Sequence, residues 1–227
     1  MFDINQKFKF LQDLTTMVIN GITPSLIVTG EGGLGKTHTV TNTVTESDPW
    51  NLDPFVHFKG YSTARGLYNT LYDNNGKLII FDDCDSILED KVALNILKSA
   101  LDSYERRTIS WMAKMNKSDE YPQHFDFTGR IIFISNKSKD SIDGALLTRS
   151  LVVDLTMTAD EKIMRMEAIL PNILPTQEIE TKKEALDFLN KNKESKNLNL
   201  RTLIMVCKMR QSYPDTWEGL ASYMLNS

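Results

Sequence analysis

The chain has 227 residues, a formal net charge of −4, 41% hydrophobic residues and 25% charged ones. This is the composition of an ordinary globular chain long enough to bury a sizeable core, and it excludes an overall basic field, so any contact with nucleic acid must come from a local patch. No apolar run approaches transmembrane length, and Met1-Phe2-Asp3-Ile4-Asn5 lacks the basic region and apolar core of a secretory signal, so neither membrane association nor export is expected.

Phe8, Leu11, Leu14, Met17 and Val18 recur at helical spacing and predict a helix over 3–19, ended by Asn20-Gly21. A strand over Ser25–Thr29 follows, then a glycine-rich loop and a helix over Lys36–Val44. Next come a strand over 54–59, a helix over Thr63–Tyr72 stopped by Asp73-Asn74-Asn75-Gly76, and a continuous apolar strand over Lys77–Phe81. A long amphipathic helix is expected over Leu88–Tyr104. Arg107–Met112 and Phe125–Phe127 read as the two arms of a hairpin. Arg130–Ile134 and Leu151–Leu155 are further strands. Strands alternating with helices predict a parallel α/β sheet.

After Leu155 the pattern becomes all-helical. Thr158 and Glu161 make a capping box. Further helices are expected over Thr181–Lys191, Asn199–Ser212 and Asp215–Leu225, the last carrying Trp217, Leu220 and Met224 on one face. The expected division is residues 1–156 and 157–227. Cys84 and Cys207, the two cysteines, read as reduced thiols of a cytoplasmic protein. The three histidines, His38, His57 and His124, lack metal-ligand spacing.

Gly30-Glu31-Gly32-Gly33-Leu34-Gly35-Lys36-Thr37 matches G-x-x-x-x-G-K-[ST], the phosphate-binding P-loop, between a strand and a helix as the motif requires. Its glycines let backbone N–H groups curl around phosphate oxygens, and the following helix, which begins at Lys36 and carries His38 just past the loop, points its positive end at the same anion. Lys36 would reach the β- and γ-phosphates of ATP, and the Thr37 hydroxyl would ligate Mg2+. Leu78-Ile79-Ile80-Phe81-Asp82-Asp83 supplies the second half, four apolar residues followed by two carboxylates, the Walker B pattern. Asp82 would hold Mg2+ and Asp83 would polarise the attacking water. Strand 130–134 runs on to Asn136, placed to orient that water, and Arg149 ends a short helix thirteen residues later.

These motifs resemble the AAA+ ATPase family, and the resemblance covers the chain from about residue 20 to its end. It implies an α/β P-loop NTPase of the ASCE/AAA+ kind, a parallel-sheet core with a small C-terminal α-helical lid. It implies Asn136 as sensor 1, Arg149 as the arginine finger offered to a neighbouring subunit, and Arg201 as the sensor 2 arginine of the lid. One departure stands out: AAA+ hydrolases usually place Glu after the Walker B Asp, and here it is Asp83, with Asp85 as an alternative base. Some AAA+ and superfamily 3 helicases carry a pore hairpin before sensor 1 that grips DNA. By that resemblance Lys114 and Lys117 near the tip, with Arg106 and Arg107 at the base, would contact nucleic acid. Lys59-Gly60-Tyr61-Ser62 fits a protein-gripping pore loop less well, and a turn residue capping the next helix suits Tyr61 better.

The layout most resembles small phage AAA+ ATPases, and more loosely helicase loaders, clamp-loader subunits and superfamily 3 helicases. The expectation is a homo-oligomeric ATPase of DNA replication or recombination, using ATP and Mg2+, in the host cytoplasm if phage-encoded. Two alternatives are an ATP-gated adaptor working on protein partners with weak turnover, which the Asp83 departure favours, and a small-molecule P-loop kinase. Asn136, Arg149 and a lid placed after the core argue against the kinase.

Overall fold

The computed structural model describes residues 2–50, 52, 55–102, 104–112 and 121–226. Helix α1 (Ile4–Ile19) buries Ile4, Phe8, Leu11 and Val18 along one face. Strand β1 (Ser25–Thr29) is buried at every residue, as a central strand covered on both faces must be. Helix α2 (Lys36–Ser47) continues past its expected end at Val44. Hydroxyls of Thr41, Thr43, Thr45 and Ser47 bond the carbonyl four residues back, so these polar groups are satisfied within the helix itself.

Strand β2 (Val56–Lys59) leads to α3 (Ala64–Asp73), capped by the Thr63 hydroxyl accepting from the Gly66 N–H. Strand β3 (Leu78–Asp82) is again fully buried. The single helix expected over 88–104 is in fact two, α4 (Ser86–Glu89) and α5 (Lys91–Ala100). Asp90 makes the break: its backbone is extended, with ψ 118°, and its carboxylate accepts from the Val92 and Ala93 N–H groups. A residue that caps a new helix cannot also continue the old one.

Strands β4 (Thr108–Ser110) and β5 (His124–Asp126) pair antiparallel, with Ile109 opposite Phe125. They are arms of the expected hairpin; its residues 113–120, Lys114 and Lys117 among them, lie outside the described residues. Then come β6 (Arg130–Ile134), α6 (Gly144–Leu147) and β7 (Leu151–Asp154), followed by α7 (Ala159–Ile169), α8 (Ile179–Lys191), α9 (Leu200–Ser212) and α10 (Trp217–Asn226).

The main sheet has the order β2-β3-β6-β1-β7 and every pair in it is parallel. The parallel α/β expectation therefore holds. Strand β1 lies between β6 and β7, both much later in the chain, so the connections leaving β1 and β6 run to opposite sides. Open α/β sheets bind ligands beyond the carboxyl ends of strands at such a reversal.

Two compact units divide the chain. One comprises Phe8–Gly30 and Lys36–Leu155. Its core includes Ile27, Leu67, Tyr68, Phe81, Leu97 and Phe133. The other gathers Glu31–Gly35, the first residues through Lys7, and the chain from Thr156 onward. Met166, Leu189, Val206 and Ala221 fill its centre, and Phe188 meets Trp217 edge-on at 5.3 Å. On α10 the buried face is Trp217, Ala221 and Leu225, while Leu220 is exposed. The face expected from Trp217, Leu220 and Met224 is thus rotated, because a four-residue step and not a three-residue one follows Trp217.

Candidate nucleotide site

Gly30, Gly33 and Gly35 have φ of 130°, 75° and 93°, backbone that L side chains rarely adopt, so the loop's glycines are required by its shape. Lys36, 4% exposed, folds back into this loop. Its ammonium donates to the Gly30 carbonyl at 2.5 Å and to Asn136 Oδ1 at 3.0 Å. Asn136 Nδ2 in turn donates to Asp83 Oδ1. The amide therefore bridges a cation and a carboxylate with its polarity set by both. Next to this bridge, Thr37 Oγ1 donates to Asp82 Oδ1 at 2.9 Å. Sequence reasoning expected Lys36, Thr37, Asp82, Asp83 and Asn136 to meet, and the structure brings all five together at the carboxyl ends of β3 and β6.

Asp83 has φ 56°, the left-handed conformation. Asp tolerates it better than most residues, at a cost on the order of 1 kcal/mol. The turn directs the Asp83 carboxylate towards Asn136, while its N–H stays on the sheet, bonded to the Ile134 carbonyl at 3.3 Å. Asp85 accepts from the buried Ser135 hydroxyl at 2.6 Å, an engagement separate from the Lys36–Asn136–Asp83 bridge. Between them Cys84 is buried, and burial pushes its thiol up to about 11, so it stays protonated and unreactive at neutral pH.

Two residues of this site escaped sequence reasoning. The second oxygen of Asp82 lies 3.1 Å from Lys59 Nζ and 3.4 Å from His57 Nε2, the latter close but not aligned as a hydrogen bond. Strand β2 runs parallel beside β3 with Lys59 in register with Asp82, and the two-residue alternation brings His57 to the same face. The alternation was present in the sequence; the identity of the neighbouring strand was not.

The remaining expected residues are placed as follows. Arg149, just beyond α6, donates to the Ala145 carbonyl at 2.9 Å and lies 3.6 Å from Asp102, with 36% of its side chain exposed. His38 is exposed and 3.4 Å from Asn42. In the unit that contains Glu31–Gly35, Glu31 pairs with Lys162 at 2.5 Å, Gly32 is exposed, and Leu34 is buried. The Leu200 N–H donates to the Gly33 carbonyl at 3.0 Å, and a Cβ on Gly33 would stand 3.1 Å from Asn199 Oδ1. Asn199 caps α9 and accepts from the Arg201 N–H at 2.9 Å, which leaves the exposed Arg201 side chain in the first helical turn.

Arg107 differs from expectation. It is 9% exposed, its guanidinium donates to the Ala100 and Gly129 carbonyls at 2.9 and 2.7 Å, and it covers the Phe127 ring at 5.1 Å. It ties the base of the hairpin to the end of α5 and is not presented to nucleic acid. Arg106 is exposed but pairs with Asp126 at 3.0 Å. Tyr61 is 82% exposed and caps nothing, since Thr63 does the capping.

The site's residues fit a nucleoside triphosphate with Mg2+. The Lys36 ammonium is already desolvated against the Gly30 carbonyl, and a hydroxyl–carboxylate pair of the kind that ligates Mg2+, Thr37 with Asp82, stands in the same strand-end cluster. Among the described residues no group of histidine, cysteine and carboxylate side chains suits a transition metal.

No protein-family model matches the chain. Among solved structures, a RuvB mutant of Thermotoga maritima superposes with a TM-score of 0.61 at 14% identity, over 98% of this chain and 69% of that one. Domain III of the Thermotoga maritima replication initiation protein DnaA gives 0.54 at 17% identity, over 92% of this chain and 84% of that one. The chain has the AAA+ fold. The Thermotoga maritima RuvB Holliday junction branch migration motor superposes at 0.55 with 14% identity, covering 92% of this chain and 60% of that one. In sequence, an uncharacterized 36.7 kDa protein from the nrdC-mobD intergenic region of Enterobacteria phage T4 is 28% identical over 239 residues, 96% of this chain and 73% of that protein. On the AAA+ fold the strand-end cluster lies at the carboxyl edge of the sheet, beside β1 where the strand order reverses.

Proposed function

We propose that this chain is an ATPase of DNA replication or recombination whose copies assemble and use ATP hydrolysis to remodel, load onto or move along nucleic acid. The observation that carries the proposal is the convergence of Lys36, Thr37, Asp82, Asp83 and Asn136 on one strand-end cluster. The AAA+ fold supports it, as do the roles of two proteins that share it, a branch migration motor and a replication initiation protein. In this reading residues 1–156 form the ATPase core and 157–227 the helical lid.

Backbone N–H groups of the glycine loop and the Lys36 ammonium hold the β- and γ-phosphates. Thr37 and Asp82 are the residues that would hold Mg2+, which neutralises charge on the phosphate oxygens. Asp83 accepts a proton from the attacking water while Asn136 holds that water in line. Asn136 links Lys36 and Asp83 in the resting cluster, so the phosphate-binding ammonium and the base stand on either side of the amide that orients the water. Arg149 serves as the finger to a neighbouring copy and Arg201 as sensor 2; for both, the motif resemblance is the support. Half-exposed Arg149 keeps its charge partnered through Asp102 until a neighbour presents phosphate.

Nucleic acid is engaged through Lys114 and Lys117 of the hairpin. The test is ATP turnover with and without single- and double-stranded DNA, in the wild type and in a variant with both lysines replaced by Ala. DNA should stimulate the wild type, and the variant should keep the basal rate and lose the stimulation. Equal stimulation in both proteins would refute the assignment of the hairpin, and a phosphorylated small molecule in place of free phosphate would refute the ATPase reading.

A second reading, an ATP-gated adaptor acting on protein partners with weak turnover, is favoured by one observation. Asp83 is a methylene shorter than the usual Glu, and a left-handed turn ties it to Asn136. ATP binding with negligible ADP formation under every DNA condition would select it.

A further inference from the structure

Asp82 is the most enclosed carboxylate of the cluster, with 3% of its side chain exposed. Burying an anion is unfavourable unless opposite charge or hydrogen bonds replace the lost water. Thr37 satisfies one oxygen. The other is satisfied by Lys59 at 3.1 Å, a lysine whose side chain is still 59% exposed along its length. The contact is built into the sheet, because Lys59 is the β2 residue in register with Asp82 and the Gly60 N–H continues the ladder onto the Asp82 carbonyl at 3.3 Å. His57, from the same face of β2, stands 3.4 Å from the same oxygen.

We propose that Lys59 is the resident counter-ion of Asp82 and competes with the divalent metal for that carboxylate. The proposal rests on the reading of Asp82 as a metal-holding residue and adds the group that opposes it. A monovalent ammonium and a divalent ion drawn to one carboxylate repel each other, so each weakens the binding of the other, and by the same factor. Metal binding releases Lys59, whose long stem and exposed surface give it somewhere to go. Immediately after it the chain turns at Gly60, φ 92°, where even a Cβ would meet nothing within 4 Å, and then presents Tyr61, 82% exposed. Among the described contacts, the Ser62 N–H is held only by the Ser86 hydroxyl, at 3.2 Å. The turn over 60–62 is fastened by the Gly60 N–H on the Asp82 carbonyl and by the two Ser62–Ser86 hydrogen bonds, while the Tyr61 side chain between them stays exposed, so release of Lys59 changes the surroundings of Tyr61.

The test is direct Mn2+ binding to the full chain in the presence of ADP, read by electron paramagnetic resonance, for the wild type, Lys59→Met and Lys59→Arg. Lys59→Met should bind Mn2+ about tenfold more tightly, within the usual range of coupling between two sites. Lys59→Arg, which keeps the charge, should bind as the wild type does. ADP affinity measured in EDTA should be the same in all three, which separates a metal effect from misfolding. In a Tyr61→Trp background, adding Mn2+ should shift the fluorescence of the protein with Lys59 and leave Lys59→Met already shifted. Equal or weaker Mn2+ binding by Lys59→Met overturns the proposal while leaving the nucleotide site standing. Retention of Mn2+ by Asp82→Ala removes both.

Discussion

The two compact units partner their buried charge in different ways. In the sheet unit, charge is taken inside: Lys36 and Asp82 are 4% and 2% exposed, and each is linked to another ionisable or amide group at a strand end. In the helical unit the interior is a cluster around Met166, Leu189 and Val206, the buried Lys182 ammonium is met by the Ile173 backbone carbonyl at 3.1 Å, and ion pairs such as Lys183–Glu180 and Lys193–Asp160 sit on the outside. Exposed pairs of that kind contribute little to stability. The exception is where the helical unit holds residues of the glycine loop, through Lys162 on Glu31 and the Leu200 N–H on the Gly33 carbonyl. The difference teaches where to look for function. Buried charge is costly, and at the strand ends it is matched by side chains of one cluster, whereas Lys182 and Arg107 are matched by backbone carbonyls.

That contrast predicts that substitutions among the strand-end residues change chemistry, whereas those in the interior of the helical unit and at the hairpin base change stability. The largest expected effect is that of Arg149→Ala, which should lower turnover by about a thousandfold while nucleotide binding is unchanged. Mixing it with wild-type subunits should restore activity in proportion to intact neighbouring pairs; a loss of binding instead would make Arg149 a structural residue. Lys36→Ala should weaken ATP binding by roughly a hundredfold in isothermal titration, because a phosphate-facing ammonium and the anchor of Asn136 go together. Undiminished affinity would remove the whole site. Arg107→Ala should destabilise the protein by about 2 kcal/mol in chemical denaturation, since two buried carbonyls lose their donor. Arg106→Ala, which removes only an exposed pair, should change stability by less than about 1 kcal/mol.

Gly33→Ala should cost about 1 kcal/mol, from its positive φ and from the approach of its new methyl to Asn199. A neutral result would show that the helical unit's hold on the loop is slack. An effect confined to alkaline pH concerns the thiols, one in each unit. Burial pushes both Cys84 and Cys207 from 9.0 up to about 11. The folded protein holds these protons more tightly than the unfolded chain, so the associated stability is complete below pH 9 and is lost as pH rises towards 11. The melting temperature should fall across that window, and iodoacetamide should label neither thiol at pH 8 until denaturant is added.

How much was legible in the sequence depended on how directly the residue pattern encodes contacts. Continuous apolar runs that end in polar residues, Leu78 to Asp83 and Ile131 to Asn136, announced both buried strands and the residues projecting past them. The capping box at Thr158 and Glu161 was readable because it is local. Asp90 was harder, since an acidic residue inside an amphipathic run reads equally well as an exposed helix position and as a cap. Arg107 was misplaced for a related reason: a basic residue at a hairpin base looks solvent-facing until Ala100 and Gly129 are seen to need a donor. Lys59 and His57 were missed because their meaning depends on which strand lies beside β2, a long-range fact that no local pattern carries.

The most direct test of the central claim is one measurement on the full chain: ATP turnover and assembly mass, recorded together across protein concentration, with and without single- and double-stranded DNA. The account predicts ADP and free phosphate as products, a rate per subunit that rises as copies assemble, and a further rise with DNA. A monomer that binds ATP yet neither turns it over nor responds to DNA would contradict it.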